Sequence, residues 1–366
     1  MNVLAAIVNA PNTPFDVQSV QLEPPRSGEV LVNIAASGVC HSDWHLVTGA
    51  TSHPLPVVPG HEGAGVVEAV GANVSGIEPG DHVVLNWAPN CGTCFYCQRG
   101  KPNLCETFLE PIWAGTMLEG TTRLSHDDRP IYHFCGLATF AEKAVVAQES
   151  CVPIRKDIPL TVAALVGCAV STGVGAAMYT ADVRPGDSVA VYGCGGVGLN
   201  IIQGAALCGA SPIIAIDTNP TKMELAKEFG ASHTLLANQK NWSQIHELTG
   251  GHGADVVFEA VGTPALQKEG LRATRPGGSL ILVGLSSVKE PTNLSGGFIT
   301  RQEKVIKGSY YGSVNTRRDF PMLIDLYLSG RLMLDELVTH EFELQEINEA
   351  YEAMLSGEVA RGIIVF

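Results

Sequence analysis

The chain has 366 residues, 23 Lys plus Arg against 37 Asp plus Glu, a formal charge of −14, and 45% hydrophobic residues. That is enough chain for two ordinary domains with sizeable cores. The acidic balance, with no run of Lys and Arg, repels phosphate backbones and anionic lipid, so it argues against a nucleic-acid or membrane partner.

Residues 1–10 are apolar but lack a cationic flank, since the first basic residue is Arg26. This suits a strand better than a signal peptide and leads us to expect a cytoplasmic protein. The first half is turn-rich: Pro59-Gly60, Pro79-Gly80-Asp81 and Pro89-Asn90 punctuate short apolar runs at 65–70 and 81–85. The texture is that of an irregular β-rich domain. Residues 158–181 and 188–216 carry no charge, but both are rich in small residues, and we read them as buried segments rather than membrane spans. From Arg184 strands and helices alternate: strand 188–192, helix 196–208, strand 212–216, helix 220–229, strand 255–259, helix 264–274, then strands 278–284 and 305–310. The alternation predicts an α/β domain with a doubly wound parallel sheet and right-handed crossovers. Helices near 318–328 and 344–355 and the apolar end 362–366 follow, so the second domain is expected to be inserted into the first.

Gly193-Cys194-Gly195-Gly196-Val197-Gly198 has the pattern G-x-G-x-x-G, and it lies between a predicted strand and a predicted helix. Glycines there permit a tight turn and close approach of backbone to a pyrophosphate at the helix N-terminus, as in the Rossmann dinucleotide fold. Asp217 ends the next strand, where a carboxylate accepts hydrogen bonds from adenosine ribose hydroxyls and repels a 2′-phosphate. The expected cofactor is therefore NAD rather than NADP. A glycine turn that only lets the helix pack on the strand is the plainer alternative. Lys222 either holds the same ribose or is a solvated lysine at a helix start.

Ten cysteines need an explanation in a long chain read as unsecreted, where reduced thiols or metal ligands are expected over disulfides. Cys91, Cys94, Cys97 and Cys105 place four thiols in fifteen positions, enough to close a tetrahedral zinc shell with no place for substrate. An iron–sulfur cluster, disulfides or free buried thiols compete with that reading. Cys40, His61 and Cys168 are dispersed. Two thiolates and an imidazole make a three-ligand shell with one open position, although a lone buried Cys or His is usually just packed.

Taken in order, Gly60-His61-Glu62-Gly63-Ala64-Gly65, the four-thiol segment, Gly167-Cys168 with Ser171-Thr172-Gly173, the glycine loop and Arg361 resemble the zinc-dependent medium-chain alcohol dehydrogenases over essentially the whole chain. The resemblance implies a GroES-like catalytic domain, 1–169 and 311–366, and a Rossmann NAD-binding domain, 170–310. It implies two zinc ions per subunit: a catalytic one held by Cys40, His61 and Cys168, and a structural one held by Cys91, Cys94, Cys97 and Cys105. Asp43 then orients His61, and Glu62 lies behind the metal and approaches it transiently; without the resemblance, Asp43 reads as a turn residue and Glu62 as a strand-edge charge. A proton leaves the alcohol through Ser42, the nicotinamide ribose and His45, while hydride passes to a nicotinamide held against Thr172 and Val197. His41 and Arg361 are expected at the cofactor pyrophosphate. Where many relatives carry arginine, the partly protonated His41 predicts looser NADH binding.

By the same resemblance the substrate pocket includes Ser42, Thr51, Trp87, Glu110, Phe134, Cys135, Leu285 and Tyr310, a mostly apolar slot for a primary aliphatic or aromatic alcohol. The nearest branch is the formaldehyde-oxidising, thiol-adduct-dependent one. Its glutathione-using members have an acidic residue at the position of Thr51 and an arginine at that of Leu109, so that activity stands as the alternative. A non-enzymatic NAD-binding relative is a further alternative, against which stand the retained ligands and relay residues. A long loop between Cys105 and Phe134, including 116–129, is shared with dimeric relatives, and a homodimer is expected, with strand 278–284 extending the sheet across the interface or else serving as a simple internal edge strand.

Overall fold

The computed structural model describes residues 1–287, 290–357 and 359–366. The chain forms two compact units, Met1–Cys168 with Asn315–Phe366, and Ala169–Val314.

The first unit is built on a seven-stranded sheet. Its spine runs Cys151–Ile154, His82–Leu85, Gly63–Val70, Glu29–Gly38, Arg361–Val365, Val338–Glu343, and Lys143–Ala147 pairs in addition with Glu29–Gly38. All pairings are antiparallel except that of Val338–Glu343 with Arg361–Val365. The strand Glu29–Gly38 is buried along nearly its whole length, which matches its run of Val, Leu, Ile and Ala. A second sheet orders Asn2–Ile7, Asp16–Leu22, Leu124–His126, Arg129–His133 and Val57–Val58.

Residues 106–133 were expected to form a long loop, and this is corrected. They contain the helix Glu106–Ala114 and a hairpin of Leu124–His126 with Arg129–His133. The buried Arg123 fixes the hairpin, since its guanidinium donates to both Glu29 carboxylate oxygens and pairs with Glu119.

In the second unit six parallel strands lie in the order His233–Leu236, Ile213–Asp217, Val189–Tyr192, Ala254–Glu259, Thr274–Leu282, Val305–Gly308. Numbered along the chain this is 3-2-1-4-5-6, the doubly wound dinucleotide-binding order, in which ligands bind beyond the C-terminal strand ends. The central strands are continuous apolar runs because helices cover both faces. Ala190, Ile214, Ile216, Val257 and Leu280 form the core with Leu271 of the helix Pro264–Ala273.

Strand 278–284 was expected to extend the sheet across a subunit interface. That is also corrected: Thr274–Leu282 pairs with Ala254–Glu259 on one side and Val305–Gly308 on the other, so Val305–Gly308 is the outer strand. The helical run Leu160–Ala181 is long and apolar enough to cross a membrane, and 83% of its most apolar window is buried, as in a core helix. Wider π turns interrupt it at Val166–Val170 and Ala176–Ala181.

Candidate active site

In the first unit, ligand atoms of Cys40, His61, Glu62 and Cys168 lie within 4.8 Å of one another, and all four residues are buried. Cys40, His61 and Cys168 come from three different structural devices, and Glu62 directly follows His61. Cys40 stands at the N-cap of the helix His41–Val47, just after the strand Glu29–Gly38 ends. His61 follows Gly60, whose φ of 89° suits glycine and turns the chain into the strand Gly63–Val70. Cys168 sits in the π turn Val166–Val170, a distortion common at functional positions.

Asp43, fully buried in the first turn of the helix, organises the imidazole. The His61 Nδ1–H donates to its carboxylate at 3.0–3.1 Å, and the Gly60 amide donates to the same group at 2.8 Å. With Nδ1 committed as donor, Nε2 carries the lone pair, and this buried atom has no hydrogen-bond partner among the described residues. Burial opposes charge on His61 while Asp43 and the two thiols favour it, so a proton competes for Nε2 and a bound metal ion would have to displace it. The Cys168 thiol, donating toward Cys40, holds the Cys40 thiol well below its ordinary range against the cost of burial. An orphaned imidazole nitrogen beside two thiols is a soft N/S donor set that fits zinc.

Behind these residues Glu62 is fully buried and ion-paired with Arg361. Burial pushes its carboxyl up to about 7, against the pull of Arg361. Gly38 makes room, because a β-carbon there would collide with the Glu62 carboxylate and lie 3.1 Å from Arg361. Arg361, expected at a phosphate, is thus buried against Glu62. On the helix His41–Val47, Ser42 and His45 stand three residues apart on one face, both half-buried, and the Cys40 thiol lies 3.7 Å from Ser42 Oγ. His41 is exposed at the helix start.

The pocket candidates scatter. Phe134, 2% exposed, packs edge-on against His61 at 5.7 Å between ring centroids. Trp87 and Cys135 are buried and Thr51 is half-buried, while Glu110 is exposed beside Leu109 on the helix Glu106–Ala114. Tyr310, half-buried, and Leu285, 60% exposed, belong to the second unit. Composition and spacing gave no sign of His53, whose ring also packs edge-on against Phe134, at 5.6 Å.

Cys91, Cys94, Cys97 and Cys105 form a second group with sulfurs within 4.8 Å of one another. None of the ten cysteines is disulfide-bonded. The Cys94 and Cys105 sulfurs are 3.7 Å apart, close to the roughly 3.8 Å edge of a tetrahedron with Zn–S bonds of about 2.3 Å. Amides of Thr93 and Cys94 and the Thr107 hydroxyl donate to Cys91 at 3.2–3.5 Å. The Thr107 and Thr93 hydroxyls lead in bringing that thiol down to about 5, while burial and the neighbouring sulfurs push Cys97 up to about 12.

In the second unit the glycine loop joins the strand Val189–Tyr192 to the helix Gly196–Leu207, with Gly195 at its N-cap. The glycines divide the work. Gly193 has φ 95°, a β-carbon on Gly195 would face open space, and one on Gly198 would strike the Gly193 carbonyl. The turn, the open approach for a phosphate and the close helix packing are what a dinucleotide needs. Asp217 ends the next strand, and its carboxylate accepts from the Cys194 amide at 2.7 Å and the Asn219 amide at 2.9 Å, tying it to the loop. Lys222 lies half-buried in the helix Pro220–Glu228. Val197 and Thr172 are half-buried, and a β-carbon on Gly173 would sit 2.5 Å from the Val197 carbonyl oxygen, so the two helices meet closely there.

Comparison with known proteins agrees with this chemistry. Residues 26–156 match the alcohol dehydrogenase GroES-like domain and residues 196–329 the zinc-binding dehydrogenase domain. The chain is 41% identical, over all of its length and 99% of the relative, to an NDMA-dependent alcohol dehydrogenase of Amycolatopsis methanolica. It is 40% identical to an S-(hydroxymethyl)glutathione dehydrogenase of Haemophilus influenzae, over 98% of this chain and 96% of that one. The crystal structure of benzyl alcohol dehydrogenase from Acinetobacter calcoaceticus superposes with a TM-score of 0.95 at 32% identity, over 100% of this chain and 99% of that one. The chain belongs to the zinc-dependent medium-chain alcohol dehydrogenase family.

Proposed function

We propose that the chain oxidises a primary aliphatic or aromatic alcohol to the aldehyde, reversibly, with NAD as hydride acceptor and two zinc ions per subunit. The observation that carries this is the buried, unpartnered His61 Nε2 beside the Cys40 and Cys168 thiols, with Asp43 fixing the other ring nitrogen. Those three residues would hold the catalytic zinc, with Glu62 behind it, and Cys91, Cys94, Cys97 and Cys105 the structural one. Bound zinc supplies Lewis acidity that lets an alcohol hydroxyl ionise near neutral pH. The chain's own groups do the rest. Asp43 keeps the His61 lone pair on Nε2, Ser42 takes the substrate proton, and His45, on the same helix face, delivers it to water. Phe134 and Trp87 supply an apolar wall that suits an aliphatic chain or a ring and sheds water.

We read the glycine loop, Gly193, Gly195, Gly196, Val197 and Gly198, as the pyrophosphate cradle, Asp217 with Lys222 as the ribose contacts, Thr172 as a support for the nicotinamide, and His41 with Arg361 as the phosphate side. Arg361 can serve there only by sharing its guanidinium with Glu62. Ten cysteines outside any disulfide suit a reducing compartment, in keeping with a cytoplasmic protein, and the expected homodimer is measured by light scattering.

The thiol-adduct reading is supported by the relatives named S-(hydroxymethyl)glutathione dehydrogenase, but Thr51 and Leu109 provide no charge for a glutathione anchor. The test is a screen of NAD reduction by the zinc-loaded protein with benzylic, primary aliphatic, secondary and S-hydroxymethyl-glutathione substrates, with NDMA as an alternative acceptor in a parallel arm. Benzylic or aliphatic turnover lost on chelation is the expected result. Turnover of the glutathione adduct alone transfers the assignment to the second reading, and inactivity throughout removes both.

A further inference from the structure

Tyr311, Gly312 and Ser313 have consecutive φ values of 54°, 61° and 56°. Two L side chains adopt this left-handed turn only where the surroundings hold them in it. One group pins both ends: the Thr180 hydroxyl lies 2.9 Å from Ser309 Oγ and 2.9 Å from Ser313 Oγ. A hydroxyl has one hydrogen and two lone pairs, so it can serve both serines at once. Thr180 is 1% exposed, and its carbonyl accepts from Lys307 Nζ, so it is itself fixed. The middle of the turn presses on the helical segment that carries Thr172. A β-carbon on Gly312 would lie 2.8 Å from the Thr172 carbonyl oxygen and 2.9 Å from Gly175 Cα, so backbone meets backbone there with no side chain between.

We propose that Thr180 is a positioning residue for hydride transfer: its hydroxyl fixes the left-handed turn and, through Gly312, the seat of Thr172. The inference rests on the dehydrogenase reading, in which Thr172 supports the nicotinamide ring. Thr180 touches no reacting atom, so its removal disturbs the ring's angle of approach more than the binding of either reactant. Misplacing reacting groups by fractions of an ångström slows the chemical step steeply.

Thr180→Val keeps the shape and removes the hydroxyl, whereas Thr180→Ser keeps the hydroxyl and removes the methyl. In the valine variant of the zinc-loaded protein we expect kcat to fall about tenfold with KM for the alcohol within about twofold of the parent, and the primary deuterium isotope effect on kcat to rise. The serine variant restores both. Independently of turnover, hydrogen exchange at the Ser313 and Val314 amides, which donate to the Tyr310 and Tyr311 carbonyls, should accelerate in the valine variant and not in the serine variant. Unchanged exchange and kcat in the valine variant, or equal losses in both variants, reduce Thr180 to packing and overturn the proposal. A parent protein that binds NADH but oxidises no alcohol sinks the dehydrogenase reading and this role with it. Fast exchange in the valine variant of an active enzyme whose kcat and isotope effect stay put overturns the role in hydride transfer alone.

Discussion

The two groups of thiol ligands use the same chemistry in opposite ways. Cys91, Cys94, Cys97 and Cys105 are neighbours along the chain, three of them half-buried, next to Phe95 and Tyr96, which are 52% and 38% exposed. Cys40 and His61 come from a helix cap and a turn 21 residues apart, Cys168 from a π turn more than a hundred residues further on, and every one is buried. A local quartet needs little from the fold and can give back stability when it binds metal. A dispersed trio is positioned by the whole first unit, and that rigidity lets it keep an unshared imidazole lone pair inside the protein.

The largest effect should come from the dispersed group. Cys168→Ser is expected to lower kcat by on the order of 10³-fold while melting temperature and one zinc per subunit remain, as activity assays and metal analysis would show. Equal loss of both metals would erase the distinction between the groups.

Cys94→Ser should do the reverse. Loss of a structural metal is among the few changes that cost about 4 kcal/mol, roughly a 10 °C fall in Tm for a unit of this size, with kcat per folded molecule kept. Calorimetry alongside active-site titration measures it, and an unaltered Tm counts against a structural role.

Asp43→Asn sharpens the contrast, because the local quartet has no counterpart to this carboxylate. The amide can present an NH₂ to His61 Nδ1 and favour the wrong tautomer. A loss of about 10- to 100-fold in zinc affinity at the dispersed site alone is expected from competition with a chelating dye.

The last effect is one of acidity. His133, beside Phe134, is fully buried, and burial, helped by Arg123, lowers its pKa to about 3. Its Nε2 accepts from the Arg123 amide at 2.9 Å, which only a deprotonated nitrogen can do. An unfolded chain takes up this proton near 6.5 and the folded one only near 3. The stabilisation is therefore complete above about pH 6.5 and is lost as pH falls from there toward 3. Urea unfolding at pH 7 and pH 4 should show a shallower acid loss in His133→Gln, and identical slopes would refute the assignment.

Legibility in the sequence followed the same division between local and dispersed. The glycine loop, its flanking strand and helix, and the four-thiol spacing are contiguous patterns, and a contiguous pattern states its own geometry. Cys40, His61 and Cys168 carry no such statement, and only the family resemblance groups them. Short or polar elements escaped: the edge strand His233–Leu236, the helix Asn241–Leu248 and the helix Gly296–Arg301 have too few apolar positions to show a period. The pairing of Arg361 with Glu62 was equally hidden, since nothing in either segment marks a partner 299 residues away. Strand 278–284 was misread as an interface strand because the short, partly exposed Val305–Gly308 was not seen to cover its edge.

The closing strand has a consequence in time. Arg361–Val365 pairs with the end of Glu29–Gly38, two residues before Cys40, and Arg361 completes the surroundings of Glu62. On a ribosome, Cys40, His61 and Cys168 emerge long before that strand, whereas the second unit is complete as a single stretch of chain. At about 5–20 residues per second, the roughly 200 residues between Cys168 and Arg361 take about 10–40 s to synthesise. Through that interval Glu62 lacks its Arg361 partner, so the buried group reaches its final surroundings only when the closing strand pairs with Glu29–Gly38.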